Sequence, residues 1–215
     1  MGIITIASNY FNEIESAEAM WRSVEPIANH WLVVDTGSMD GTQELCRSLG
    51  AIVVDDDIIK REGYGPARTQ LIELAPEDTD WVLIIDGDER IIEEDYDKFL
   101  GLSESSYDVI CLPRQHYRAW DMSICENPDI TFHADWQWRF VRRIMERQSD
   151  GSRKSKIKFQ KAVHEHITGF QRPLQSFDNP RIRHFGWLKS PERLKEIADL
   201  CQVLYEKDLK KMKII

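Results

Sequence analysis

The sequence has little of what would classify it at a glance. Its four cysteines, Cys46, Cys111, Cys125 and Cys201, include no C-x-x-C pair. That excludes a zinc knuckle and a disulfide framework and fits a reducing compartment, so a cytoplasmic protein is expected. Long apolar runs are missing too. The first, Ile3 to Ala7, gives way at once to Ser8, Asn9, Asn12 and Glu13, too short for a signal peptide or a transmembrane segment. Positive charge is in deficit, with 28 Lys and Arg against 37 Asp and Glu and a net charge of −9. A uniformly basic nucleic-acid surface is therefore absent. There is no collagen-like or heptad repeat. There is also no H-E-x-x-H zinc signature, because Thr168 stands where the second His would fall after His164 and Glu165.

What is present is an ordinary globular balance, 42% hydrophobic and 30% charged over 215 residues, enough for one α/β domain with a core of its own. The charge is unevenly spread. Residues 1–100 carry seven basic and twenty-two acidic side chains; residues 101–215 carry twenty-one and fifteen. An acidic half suits a cation and a basic half suits an anion.

Short apolar strands alternate with helical patterns. Ile3 to Ala7, Trp31 to Asp35, Ala51 to Val54 and Trp81 to Asp86 read as strands. Between them, Ala17, Met20, Trp21, Val24 and Ile27 recur at helical spacing, Gln43 to Leu49 form a helix stopped by Gly50, and another helix runs from about Pro66 to Ala75. That alternation predicts a mainly parallel sheet with helices on both faces. Ligands then bind beyond the carboxyl ends of the strands, where Asp35 and Asp86 stand. Further on, Val109 to Leu112 and Arg114 to Trp120 read as a strand pair, with strands also at Trp136 to Val141, Ile157 to Val163 and Arg181 to Phe185. Residues 139–161 hold nine basic and two acidic side chains around Ser149 to Ser152 and read as a mobile surface loop. A helix starts at Ser190-Pro191-Glu192, and the chain end at Lys210 to Ile215 reads as a cut from a longer polypeptide.

Three constellations carry chemistry. In Asp35-Thr36-Gly37-Ser38-Met39-Asp40-Gly41-Thr42, a carboxylate at a strand end beside a glycine-rich turn either receives hydrogen bonds from a base or ribose or merely caps the turn. In Asp86-Gly87-Asp88-Glu89, carboxylates either side of a glycine suit Mg²⁺ or Mn²⁺ shared with substrate phosphates; a capped turn is the alternative. In Val163-His164-Glu165-His166, with His184 further on, a Glu can be a general base and a His a metal ligand, although any single His is more often structural. Arg68, just inside a helix start, is a base or phosphate contact or else a surface ion pair.

These pieces, in this order, resemble the family 2 glycosyltransferases. The resemblance is carried by VVDTGSMDGTQELCRSLGA (33–51), GPARTQLIELAPEDTDWVLIIDGDER (65–90), WRFVRR (138–143), AVHEHI (162–167) and RHFGW (183–187), and is strongest to compact lipopolysaccharide-core transferases and similar domains of large viruses and phages. It implies the glycosyltransferase A fold, a single Rossmann-like nucleotide-binding domain with a mainly parallel central sheet flanked by helices. Residues 1–105 would be the nucleotide-sugar half, 106–189 the acceptor and metal half, and 190–215 a C-terminal helix. The implied activity is Mn²⁺- or Mg²⁺-dependent, inverting transfer of a hexosyl or deoxyhexosyl group from a nucleotide diphosphate sugar, commonly UDP-linked, to a saccharide or glycan acceptor. Asp35 would hold uracil or ribose with Arg68 near the base. Asp40 would shape the turn, Asp86 would lie near ribose and metal, and Asp88 would ligate the metal with His184 as a further ligand. Glu165 would be the base, with Asp135 its rival. The chain departs from the family at Arg68-Thr69, where Arg-Asn is frequent, and at Asp86-Gly87-Asp88-Glu89, where Asp-Ala-Asp-Glu is.

Other functions stay in view. A sugar-nucleotide pyrophosphorylase would carry a glycine-rich basic signature where Ala7-Ser8-Asn9-Tyr10 stand. An aspartyl phosphatase would want Thr or Val after its Asp-x-Asp. A nucleotide-sugar-binding module without turnover would use Trp120, Trp136, Trp138 and Trp187 as stacking platforms.

Overall fold

The computed structural model describes residues 1–129 and 135–212. Its central sheet has nine strands in the order β3-β2-β1-β4-β7-β6-β13-β5, with β12 paired to β6. The first four are β1 (Ile4–Tyr10), β2 (His30–Asp35), β3 (Ile52–Asp55) and β4 (Trp81–Ile84), all parallel. β7 (Asp135–Arg142) runs antiparallel between β4 and β6 (Val109–His116). β12 (Pro173–Gln175) and β13 (Ile182–His184) then lie parallel to β6, and β5 (Glu89–Arg90) closes antiparallel on β13. Seven strands therefore point toward one edge of the sheet, and β5 and β7 run the other way.

The apolar runs are near-continuous because both faces are covered. Ile4, Ile6, Val33, Leu83 and Ile85 pack into one core with helices α1 (Ala17–Val24), α2 (Thr42–Ser48) and α5 (Tyr96–Ser103). The alternate residues Ala7, Leu32, Val34, Val82 and Ile84 pack into a second core. It is built with α3 (Ile58–Glu62), α4 (Tyr64–Leu74) and Leu200 and Leu204 of α6 (Pro191–Met212). Trp21 stacks on Trp31 at 4.6 Å, tying α1 to β2. No helix among the described residues is long and apolar enough to cross a membrane.

Two expectations are corrected. Val109 to Trp120 is not a strand pair broken at Pro113, because β6 runs unbroken to His116. β12 pairs residues 109–111 and β13 pairs 114–116, so Pro113 falls in the gap between them, where a missing N–H is tolerated. Nor is 139–161 a loop. It opens inside β7, forms a hairpin of β8 (Met145–Arg147) and β9 (Arg153–Ser155), and continues into β10 (Lys158–Gln160), which pairs with β11 (His166–Thr168). The hairpin docks on the far end of α4, through Lys154 and the Ser155 N–H on Glu73. Most of its basic side chains therefore lie away from the carboxyl edge.

The return from β10 presses on the start of α4. Tyr64 N–H donates to Ala162 O at 2.9 Å and Gly65 N–H to Lys161 O at 3.1 Å. A Cβ on Gly65 would collide with that backbone, and Gly63, at φ +97°, occupies a conformation closed to other residues as well. This approach brings Glu165 to Arg68.

Candidate functional site

At the end of β4 the chain turns through Asp86 to Glu89, and its carboxylates diverge. Asp86 Oδ2 lies 2.8 Å from Arg139 and 3.6 Å from Arg68. Arg68 reaches Glu165 Oε1 at 2.5 Å. Glu89, fully buried, accepts from the Asp86 N–H at 2.9 Å and faces Arg139 at 3.5 Å and Arg114 at 3.1 Å. Arg114 in turn holds Asp135 at 2.7 Å. Four carboxylates and three guanidiniums thus alternate from Glu165 to Asp135 across the carboxyl edge.

Arg139 is the centre of this array and sits there because of a register shift. Between Ile110 and Cys111 the β6–β7 ladder slips, Ile110 facing Phe140 and Cys111 facing Trp138. Arg139 is the extra residue, and a bulge re-aims a side chain in this way. Its side chain is 1% exposed. Burial alone would lower its pKa, but Asp86 and Glu89 outweigh that and raise it. Burial would likewise raise the Asp86 carboxyl, yet Arg139 and Arg68 hold it well below the usual carboxylate range. Removing the central cation strands two acids in a desolvated site. Arg139→Met is therefore expected to cost about 3–5 kcal/mol of stability, read as a lower urea midpoint; a midpoint unchanged from wild type would show the array to be energetically idle.

Asp88 faces a different group of residues. Lys189 Nζ lies 2.6 Å from Glu13 Oε1 and 3.4 Å from Asp88 Oδ2, and His184 Nε2 is 3.9 Å from the same Asp88 oxygen. Behind His184 the donors and acceptors can be followed one by one. His116 Nε2–H donates to Asp135 Oδ2 at 3.1 Å, so a neutral His116 presents Nδ1 as an acceptor. His184 Nδ1–H donates to it at 2.9 Å, which leaves the His184 Nε2 lone pair facing Asp88. Burial lowers the His184 pKa, in keeping with a neutral ring. This is how histidines are oriented as metal ligands.

The space between these two donors is kept open by Gly186, where a Cβ would collide with His184 Nε2 and lie 3.0 Å from Asp88 Oδ2. The carboxylate suits Mg²⁺ or Mn²⁺, and the added imidazole favours a transition ion such as Mn²⁺ over Mg²⁺. Asp88 and His184 therefore fit a divalent ion, with Glu13 beside them, whereas Asp86 is turned to the arginines. Among the described residues no three His, Cys, Asp or Glu side chains form a ready shell.

Asp35 is fully buried and bound into its own turn. It accepts from the Gly37 and Ser38 N–H groups, the Ser38 hydroxyl and the Gln43 amide at 2.6–3.0 Å. Asp40 accepts from the Thr42 N–H and hydroxyl and from the Ile14 N–H, stapling this turn to the loop after β1. Beside the turn lies a cavity of about 200 Å³ lined by Asn9, Phe11, Thr36, Tyr64, Arg68 and Asp86, among others. Arg193 of α6 lines it and two adjoining cavities of about 390 and 280 Å³. Its guanidinium lies 4.9 Å from the Phe11 ring centroid and donates to Phe11 O.

Glu165 opens on another cavity of about 240 Å³, bounded by Trp136, Trp138, Phe159, His164 and Arg68. Two left-handed residues, Lys161 at φ 67° and His164 at φ 55°, shape the segment that presents it, and such conformations gather at functional sites. Burial would raise the Asp135 carboxyl, but the His116 hydrogen bond and Arg114 hold it well below the usual range, so it is a feeble proton acceptor. Of the tryptophans, Trp120 stacks on Phe185 and Trp187 lies under Arg118.

The structure brings Arg68, Asp86, Asp88, Asp135, Glu165 and His184 to one edge and turns Asp35 inward. Sequence reasoning missed Glu13, Arg114, His116, Arg139 and Lys189. Only Arg139 had a signal, lying inside the WRFVRR segment.

A family model described as glycosyl transferase family 2 matches residues 5–167. No curated protein matches the chain significantly. Among solved structures it is similar to TarS 1–349 of S. aureus, with 17% identity, a TM-score of 0.46 and coverage of 54% of this chain and 37% of that one. It is also similar to glucosyl-3-phosphoglycerate synthase of Mycobacterium tuberculosis, in complex with Mn²⁺, UDP and glucosyl-3-phosphoglycerate, with 21% identity, a TM-score of 0.44 and coverage of 54% and 45%. Mannosyl-3-phosphoglycerate synthase of Rubrobacter xylanophilus gives 21%, 0.43, 54% and 41%. The chain spans less than half the length of each of these.

Proposed function

The chain belongs to glycosyl transferase family 2, and on that premise we propose that it moves a sugar from a nucleotide diphosphate donor, UDP-linked, to a saccharide or glycan hydroxyl with inversion at the anomeric carbon. The observation that carries this reading is the pairing of Asp88 and His184 across a gap kept clear by Gly186, at the mouth of a cleft over the carboxyl ends of β1, β2 and β4. Residues 1–105 would then seat the nucleotide and supply Asp88 to the metal, and 106–189 would add His184 and the acceptor side. The nucleoside lies in the cavity between Phe11, Thr36 and Tyr64, near Arg68, with Asp35 fixing the turn behind it.

Mn²⁺ or Mg²⁺ held by Asp88 and His184 would supply charge compensation for the departing diphosphate. Glu165 takes the proton of the acceptor hydroxyl as that oxygen attacks the anomeric carbon from the face opposite the leaving group. Arg68, now paired with Glu165, turns to Asp86 and the donor when the acceptor arrives. Trp136 and Trp138 form the apolar wall against which an acceptor ring rests. A binding module without turnover is the second reading, favoured by the two closed pairings, Glu165 with Arg68 and Lys189 with Asp88.

Thermal unfolding with a panel of nucleotide sugars, in Mn²⁺ or in EDTA, tests the proposal. A donor at about 100 times its Kd adds roughly 2.7 kcal/mol, so one sugar nucleotide is expected to raise Tm in Mn²⁺ and not in EDTA. No shift with any donor would overturn the reading. A shift without transfer to any acceptor or slow donor hydrolysis would favour the module.

A further inference from the structure

We propose that Lys189 makes divalent-cation binding and nucleoside-diphosphate binding depend on each other, by occupying the Asp88 carboxylate until a diphosphate offers it another anion. The inference rests on the donor and metal reading above.

The ammonium is built into its place. Lys189, Asp88 and Glu13 have side chains only 15%, 16% and 11% exposed. The segment that carries Lys189 is tied to the Asp88 turn by its backbone, Phe185 N–H donating to Asp88 O at 2.8 Å. On the other side Ser190 Oγ accepts from the Arg193 N–H at 3.2 Å, at the start of α6. The side chain therefore has a fixed root and a short reach, and within that reach lie Glu13, Asp88 and the cavity shared with Arg193.

A divalent ion and this ammonium cannot share Asp88. Both need the same oxygen, and like charges in contact within a desolvated cleft repel strongly. A cation binding alone must displace Lys189 from Asp88 and leave it with Glu13 only. A cation binding with a diphosphate meets a different situation, because the phosphate oxygens enter the same cavity and take the displaced ammonium. Each ligand thereby raises the affinity for the other, and the gain is the same in both directions. Lys189 is in addition a diphosphate contact, alongside Arg193, in the loaded site.

The test is Mn²⁺ binding by electron paramagnetic resonance, with and without saturating UDP, on wild type, Lys189→Met and Lys189→Arg, with Asp88→Asn as the blank. Lys189→Met is expected to bind Mn²⁺ without nucleotide at least tenfold more tightly than wild type, and to show a correspondingly smaller gain on adding UDP. Lys189→Arg should behave as wild type. Lys189→Gln carries the same test if the Met variant does not fold. Equal or weaker Mn²⁺ binding by Lys189→Met, or no Mn²⁺ binding above the blank in any variant, overturns the proposal. The transferase reading is judged separately, by the nucleotide-sugar shifts of wild type. Those shifts with unaltered Mn²⁺ affinity in Lys189→Met would remove Lys189 from this role and leave the activity standing.

Discussion

Replacing Asp88 by asparagine is expected to lower sugar transfer by about three orders of magnitude. Asn keeps the size of the side chain and removes the negative charge that the proposed cation locus requires. Of the acidic residues nearby, Asp86 and Glu89 are already matched by Arg68, Arg114 and Arg139, so neither can deputise. A bound metal contributes several kcal/mol to stabilising developing charge, and roughly 1.4 kcal/mol corresponds to a decade in rate. Folding should be little affected, because Lys189 retains Glu13. The measurement is the initial rate against Mn²⁺ concentration, with Tm recorded alongside. Rates within tenfold of wild type would place the cation elsewhere or dispense with it.

Glu165→Gln is expected to cut turnover by about 10²–10⁴-fold, the usual contribution of a general base, with donor affinity nearly unchanged. Gln still accepts a hydrogen bond from Arg68, so the docking of the 160–165 segment on α4 should survive. A fall in kcat with the donor KM held marks an interaction made in the transition state. Loss of donor binding instead would make Glu165 a structural partner of Arg68. Retained activity would return the role to Asp135, against the low proton affinity that His116 and Arg114 impose on it.

How far the sequence could be read depended on whether the signal was local. β1, β2 and β4 are legible because a strand buried on both faces must be apolar throughout, and the turn residues after β2 and β4 follow at once; β3, a half-exposed edge strand, is legible from its short β-branched run alone. α3 and α5 were not anticipated. The helix from Pro66 was found, but its first turn at Tyr64-Gly65 was not, since its start is set by a contact with residues nearly a hundred positions away. The stretch 139–161 misleads because basic content reads as irregular chain, whereas Arg147, Arg153, Lys154 and Lys158 are exposed on ordered strands. Arg139 is buried among acids, and Arg142 lies over Trp81. Asp35 shows the opposite limit. Its motif was visible, and so were both of its possible uses, but only the folded turn shows the carboxylate consumed by its own loop. Lys189 could not be found from its neighbours in sequence, since its partners are Glu13 and Asp88.

The place of β13 in the sheet has a consequence for the order in which the molecule comes into being. Strands β3, β2, β1, β4, β7 and β6 are all encoded by residue 142, and they can assemble on the ribosome into a sheet with its α1, α2 and α5 face covered before the rest of the chain emerges. His184 arrives afterwards on a strand that must insert between β6 and β5, and Lys189 follows five residues beyond it. During synthesis there is thus an interval in which the β1, β2 and β4 side of the cleft exists and the proposed cation locus does not. Competence for the proposed metal is acquired only once residues 182–189 have emerged, and pulse-labelled amide exchange should find β13 protected later than β1, β2 and β4.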